Sequence, residues 1–294
     1  MWSGAEISLS DAVWRALELA LMGVARWSVS SITVLSTLRA RKPMIISDNE
    51  TVDLATATGP MRTHVFRPAA AGRYPGIVLY SEIFQVTGPI RRTAAMIAGH
   101  GFIVAVPEVY HELEAPGTVL SYTPEGSARG NAHKIAKTLA SYDDDARACI
   151  AYLAGSPHCT GRIGTMGMCL GGHLAFRAAL QPQVLAAACL YPTDLHKRSL
   201  GAGMNDDSLA RVRELGAELL MIFGRHDPHI PAEGRATIYQ ALSAAERHFE
   251  WHEFNAAHAF LRDEGNRYNP ALAAICYGLV VELFRRKLGD GDRH

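Results

Sequence analysis

From about residue 44 onward the chain alternates short apolar runs with segments of helical periodicity, and few architectures accept that rhythm. The runs "GIVLY" (76–80), "FIVAV" (102–106), "RIGTMG" (162–167), "AAACLY" (186–191) and "ELLMIFG" (218–224) are nearly continuous rather than alternating. They read as strands buried on both faces, as a parallel sheet covered by crossover helices demands. "MIISDNETVDL" opens this region like a first strand and "FEWHEF" closes it like a last one. Helical patterns lie near 90–99, 134–154, 170–180, 232–246 and 270–287. The expectation is an α/β fold over residues 44–294, with a mostly parallel twisted sheet and helices on both faces. Two stretches rich in Gly, Pro, Ser and charge, 111–130 and 193–211, follow strand ends. In a doubly wound sheet those ends form the ligand crevice, so both loops should border it.

The first 43 residues follow a different pattern and read as an N-terminal helical extension. Ser8 and Asp11 have capping-box spacing, and Val13, Leu17, Leu21 and Val24 recur at helical intervals. Residues 19–38 carry one formal charge, Arg26, which at mid-membrane would cost roughly 2.5 to 3.5 kcal/mol. That charge, with several Ser and Thr, argues against a membrane span. Arg15, Glu18 and Arg26 equally interrupt the apolar core a signal peptide needs. An amphipathic arm packed on its own domain, or on a second subunit in a homodimer, fits the pattern; Met44 as the natural start is the alternative.

Composition narrows the partners. With 29 basic and 29 acidic residues, no overall field favours nucleic acid or an acidic membrane, so a small molecule is the expected ligand. Five cysteines, at 149, 159, 169, 189 and 276, are odd in number, widely spaced and free of any CxxC pair. They suggest free thiols in a reducing cytoplasm, with neither a disulfide framework nor a zinc site. No cofactor or metal is implied; the acidic run Asp143, Asp144, Asp145 reads as an exposed helix face.

Within this frame "IGTMGMCLGGHLAF" (163–176) places Cys169 between a strand and a helix, crowded by Gly167, Gly171 and Gly172. A lone Gly-x-Cys-x-Gly would equally suit a buried packing thiol. In strand–turn–helix context it reads as a nucleophile elbow, where small neighbours let strand and helix approach and the side chain points into the crevice. The Leu170 backbone N–H, at the helix start, would face the same point. Such a nucleophile needs an acid and then a histidine later in the chain. Asp227 leaves the 218–224 run in "RHDPHIP", and His258 follows the last strand in "NAAHAF". His226 and His229 are rivals near Asp227; His252 is a rival of His258 but should lie within the strand.

On these motifs the chain from about residue 50 resembles the dienelactone hydrolase family of α/β-hydrolases. "GMCLGG", "GRHDPHIP" and "AAHAFLR" carry the match, and the resemblance implies a Cys169–His258–Asp227 triad. It further implies that Glu82, in "SEIF", contacts the resting cysteine, and that Arg262 and Arg129 grip a substrate carboxylate. The N–H groups of Leu170 and Ile83 would form the oxyanion hole. The implied activity opens a lactone or cleaves an activated ester through an acyl-enzyme. A general carboxylesterase or thioesterase, or a non-catalytic ligand-binding protein, are the alternatives. Gln85 stands where the family loop usually has glycine, and His133 and Ala136 near positions aromatic in the family's type enzyme, which leaves the substrate open.

Overall fold

The structure is a computed structural model that describes residues 46–289. An eight-stranded sheet organises it: β1 (Ile46–Thr56), β2 (Gly59–Pro68), β3 (Tyr74–Tyr80), β4 (Ile103–Pro107), β5 (Cys159–Met168), β6 (Val184–Leu190), β7 (Glu218–Gly224) and β8 (Phe249–Phe254). Their spatial order is β1-β2-β4-β3-β5-β6-β7-β8. All pairings from β4 to β8 are parallel, whereas β1–β2 and β2–β4 are antiparallel. This is the α/β-hydrolase fold, in agreement with the expected class. Among the described residues no helix is long and apolar enough to cross a membrane. The N-terminal extension, and with it a helix-mediated homodimer, lies outside the described residues.

The central strands β3 to β7 owe their position to sequence. β4 is buried throughout, and β6 and β7 nearly so, leaving no wet face. β2 was not expected from the sequence because Arg62, His64 and Arg67 break its apolar run. It is an alternating strand, with Met61, Thr63 and Val65 turned inward. Its outward arginines pair across to β1, Arg62 with Asp53 at 2.9 Å and Arg67 with Glu50 at 2.6 Å.

Among the described residues six α-helices cover the sheet: α1 (Gly88–Gly99), α2 (Pro124–Ala136), α3 (Leu139–Gly155), α4 (Leu170–Ala178), α5 (Ala232–Ala244) and α6 (Pro270–Leu288). Where one helix was expected over 134–154 there are two, and the loop expected over 111–130 gives way to α2 at Pro124. Thr123 caps α2 by accepting from the Gly126 N–H, with Pro124 in the first turn, and Thr138 caps α3 by accepting from Ser141. Gly126 and Gly130 mimic loop composition but serve close packing: a Cβ on Gly130 would sit 2.4 Å from the Ile83 carbonyl oxygen. The acidic run on α3 is likewise not a solvated face. Asp145 is buried against His111 and Lys137, Asp143 pairs with Arg177, and Asp144 accepts from the Ala57 N–H.

Candidate active site

The polar groups that the sequence scatters meet at the C-terminal ends of β3, β5, β6, β7 and β8. Cys169 leaves β5 with φ 59° and ψ −121°, a conformation costing an L-residue of order 1–3 kcal/mol. Its backbone is held on both sides. The Cys169 N–H donates to the Leu190 carbonyl at 3.0 Å, and its carbonyl accepts from Gly172 at 3.1 Å and Thr193 at 3.2 Å. The glycines are required by space, since a Cβ on Gly167 would lie 2.0 Å from the Gly171 oxygen and one on Gly171 2.2 Å from that of Tyr80. Cys169 is partly exposed, whereas Cys149, Cys159, Cys189 and Cys276 are buried packing thiols. All five are free.

Asp227 and His258 are both buried and face each other, the His258 Nδ1–H donating to Asp227 Oδ2 at 2.6 Å. The second oxygen, Oδ1, accepts from the His229 backbone N–H at 2.8 Å, which fixes the carboxylate plane. With Nδ1 engaged, Nε2 is left to exchange a proton with another group. Burial works against a charge on this imidazole. The negative charge of Cys169 and the bond to Asp227 outweigh it, raising the His258 pKa to about 10. Two aromatic edges steady the ring, Tyr191 at 5.1 Å and His229 at 4.6 Å between centroids. The rival His252 sits in β8, bonded to Glu250, and His226 is exposed.

The Ile83 and Leu170 N–H groups, one from the loop after β3 and one from the first residue of α4, donate to no acceptor among the described residues. Gly130 of α2 presses on the Ile83 carbonyl and so fixes the first of them. Gln85 holds the same loop: at φ 67° it takes up a backbone conformation that favours glycine, and its Oε1 accepts from the Tyr110 N–H at 3.2 Å. That bond explains how glutamine can replace glycine there.

Glu82 is buried, but its carboxylate is turned toward Arg262 (3.5 Å) and makes no hydrogen bond to the Cys169 sulfur. The Thr193 hydroxyl stands 3.9 Å from that sulfur. Burial pushes the Glu82 pKa up, with Arg262 and then His258 opposing. Arg262 lies 4.2 Å over the Tyr122 ring and lines the cavity. Arg129 does not. It faces away from the cavity and binds Glu114 at 2.6 Å, where His133 also ends, because the face of α2 carrying residues 129 and 133 is turned toward that buried carboxylate. The cavity, about 210 Å³, is lined on this helix by Ser127, Asn131 and Lys134 instead. Lys134, Lys197, Arg262 and Arg267 bring four cations to its wall against the carboxylates of Glu82 and Asp194. Thr193 and Lys134 were not singled out as site residues from sequence, which offers only the loop and the helix on which they sit; His229, weighed there as a rival near Asp227, lines the cavity beside His258.

The sequence matches the Dienelactone hydrolase family over residues 61–288. The chain belongs to the dienelactone hydrolase family. A Saccharomyces cerevisiae protein named as a carboxymethylenebutenolidase is 45% identical over 248 residues, covering 80% of this chain and 90% of that protein. The Pseudomonas putida carboxymethylenebutenolidase is 31% identical over 204 residues, 68% of this chain and 81% of the relative. Among solved structures, a Klebsiella pneumoniae protein named as a dienelactone hydrolase superposes with a TM-score of 0.72 at 22% identity, covering 83% of this chain and all of that one. As a dienelactone hydrolase family member, the protein is a lactone or ester hydrolase.

Proposed function

We propose that the protein hydrolyses small lactones or activated esters bearing a carboxylate, with Cys169 as nucleophile, His258 as proton carrier and Asp227 as its orienting partner. The Cys169 thiolate attacks the acyl carbon, and the oxyanion that forms accepts from the Leu170 and Ile83 N–H groups. Collapse breaks the acyl–oxygen bond, and the His258 Nε2–H passes its proton to the departing enolate or alkoxide. His258 then takes a proton from water as the hydroxide attacks the thioester, and the sulfur leaves as thiolate. Loss of either oxyanion donor would cost about 3 to 4 kcal/mol of transition-state stabilisation.

The observation that carries this reading is a free thiol on a strained elbow, beside a buried imidazole that Asp227 fixes by a 2.6 Å bond. The wall of four cations supports an anionic substrate. In this reading a substrate carboxylate competes with Glu82 for Arg262, and the raised Glu82 pKa lets that side chain withdraw as the neutral acid. Free thiols throughout favour a reducing compartment such as the cytoplasm.

Two measurements test it together. Iodoacetamide should label one thiol rapidly and stoichiometrically, with the label lost in Cys169→Ala. In a substrate panel, anionic lactones should be preferred over neutral p-nitrophenyl esters, and Arg262→Ala should remove that preference by raising KM roughly ten-fold for the anionic lactone. Slow labelling, or equal losses on both substrate classes, would break the assignment.

A further inference from the structure

We infer that Lys134 is a second anion-recognising residue beside Arg262, and that the preferred substrate is a small ester or lactone with an anionic group on each side of the scissile bond. This rests on the thiol-hydrolase reading above. In the sheet β5, which delivers Cys169, is flanked by β3 and β6. Each flanking strand runs into a loop that carries a carboxylate, and each carboxylate pins one cation of the cavity wall. On the β3 side Glu82 faces Arg262 at 3.5 Å; on the β6 side Asp194 Oδ2 accepts from Lys134 Nζ at 2.7 Å. Asp194 adjoins Thr193, whose hydroxyl is 3.9 Å from the Cys169 sulfur, so Lys134 is tethered on the opposite flank of the nucleophile from Arg262.

Burial singles out these two cations. The side chains of Lys134 and Arg262 are 13% and 11% exposed, while Lys197 and Arg267 are exposed residues at the mouth. A screened, solvated cation steers anions more than it binds them, and a partly buried one holds them. Lys134 also has donors to spare. An ammonium carries three N–H bonds, and Asp194 takes one. Asp194 is itself braced by the Ser199 hydroxyl on its other oxygen, at 3.1 Å, so an incoming anion need not displace it. The orientation of α2 makes this a choice between two basic residues of one helix. Residues 127, 131 and 134 share the face toward the cavity, and 129 and 133 the face toward Glu114.

Four phenyl esters test the inference: phenyl acetate, phenyl hydrogen succinate, 4-carboxyphenyl acetate and 4-carboxyphenyl hydrogen succinate, carrying no carboxylate, one on either side, and both. Wild-type kcat/KM should be highest for the dianion. Lys134→Met should cut the dianion's advantage over phenyl acetate ten-fold or more and erase the advantage of one monoanion. Arg262→Met should erase that of the other, and Arg129→Met should leave every ratio within two-fold of wild type. The inference is overturned if Lys134→Met lowers all four rates by one common factor, if it spares the dianion's advantage, or if Arg129→Met is the variant that removes it. Failure of the wild type to turn over any of the four strikes the proposed thiol-hydrolase reading itself, and failure of Arg262→Met to erase either carboxylate's advantage strikes the role given there to Arg262.

Discussion

Polar groups stand open at the start of α4 and are closed a few residues further along it. At its N-terminal end the Cys169 sulfur has a hydroxyl at 3.9 Å and the His258 imidazole beside it, and among the described residues Glu82 Oε2 has no hydrogen bond and the N–H groups of Ile83 and Leu170 have no acceptor. Further along, His173 and Arg177 are buried and fully engaged. Arg177 grips Asp143 with two bonds of 2.7 and 2.8 Å and reaches Asp206, Asp207 and Ser208; His173 joins Asp206 to the Thr193 carbonyl. A closed cluster fixes shape, because each buried charge already has its partners. An open one stays unsatisfied until a ligand arrives. His173 links the two, since the carbonyl it holds belongs to Thr193, whose hydroxyl is beside the Cys169 sulfur.

The contrast can be broken first at its open end. Cys169→Ala should lower kcat/KM on the order of a thousand-fold or more while changing unfolding free energy by less than about 1 kcal/mol. A variant that retains most of its rate, or that unfolds, would show the thiol belongs with the packing cysteines.

The closed cluster should behave in the reverse way. Asp206→Ala leaves Arg177 and His173 without their shared acceptor and should cost about 3–5 kcal/mol in urea unfolding, with the folded fraction still turning over substrate. Burial alone would raise the Asp206 pKa; His173 and Ser208 reverse this and hold it near 2, against an ordinary value of 3.8. A depressed carboxylate pKa contributes stability above the unfolded value that is lost as pH falls toward the folded one. Wild-type stability should therefore decline between about pH 4 and 2. Asp206→Asn should flatten that decline; parallel curves would remove Asp206 as its source.

The smallest effect sharpens the boundary between the regions. His229 packs its ring on His258, and burial, then the charge on His258, lowers its pKa, with Asp227 and Asp194 opposing and Arg267 reinforcing. Protonation of His229 at acid pH sets a second positive charge beside the imidazolium and favours return of its proton to sulfur. His229→Phe keeps an aromatic edge but cannot titrate. Its acid limb of kcat/KM should lie lower by about half a pH unit. Superimposable profiles would leave His229 a packing residue only.

Residues whose backbone setting follows from local chain geometry were legible in the sequence. Gly167, Cys169 and Gly171 announce a tight strand-to-helix turn, Asp227 and His258 follow strand ends in the required order, and the apolar runs of β3 to β7 announce buried parallel strands. β2 was hidden by its outward arginines, and α2 by Gly126 and Gly130, although Thr123 and Pro124 were a usable start signal. Which way a helix faces is not written in its own composition. Arg129 and Lys134 are both basic, five residues apart on α2, and either could reach a crevice from a solvated helix. The contact of Gly130 with Ile83 and the buried Glu114 rotate one toward a carboxylate outside the cavity and the other into it. The same holds for Asp143, Asp144 and Asp145, an acidic run in sequence that ends in three different partnerships. The buried parallel strands, the tight turn at Cys169 and the placing of Asp227 and His258 after later strand ends could be read from the chain alone, because backbone sterics and apolar patterning act over a few neighbouring residues. Which charges pair with one another and which stay open in the cavity wall depends on groups that folding brings together from distant parts of the chain.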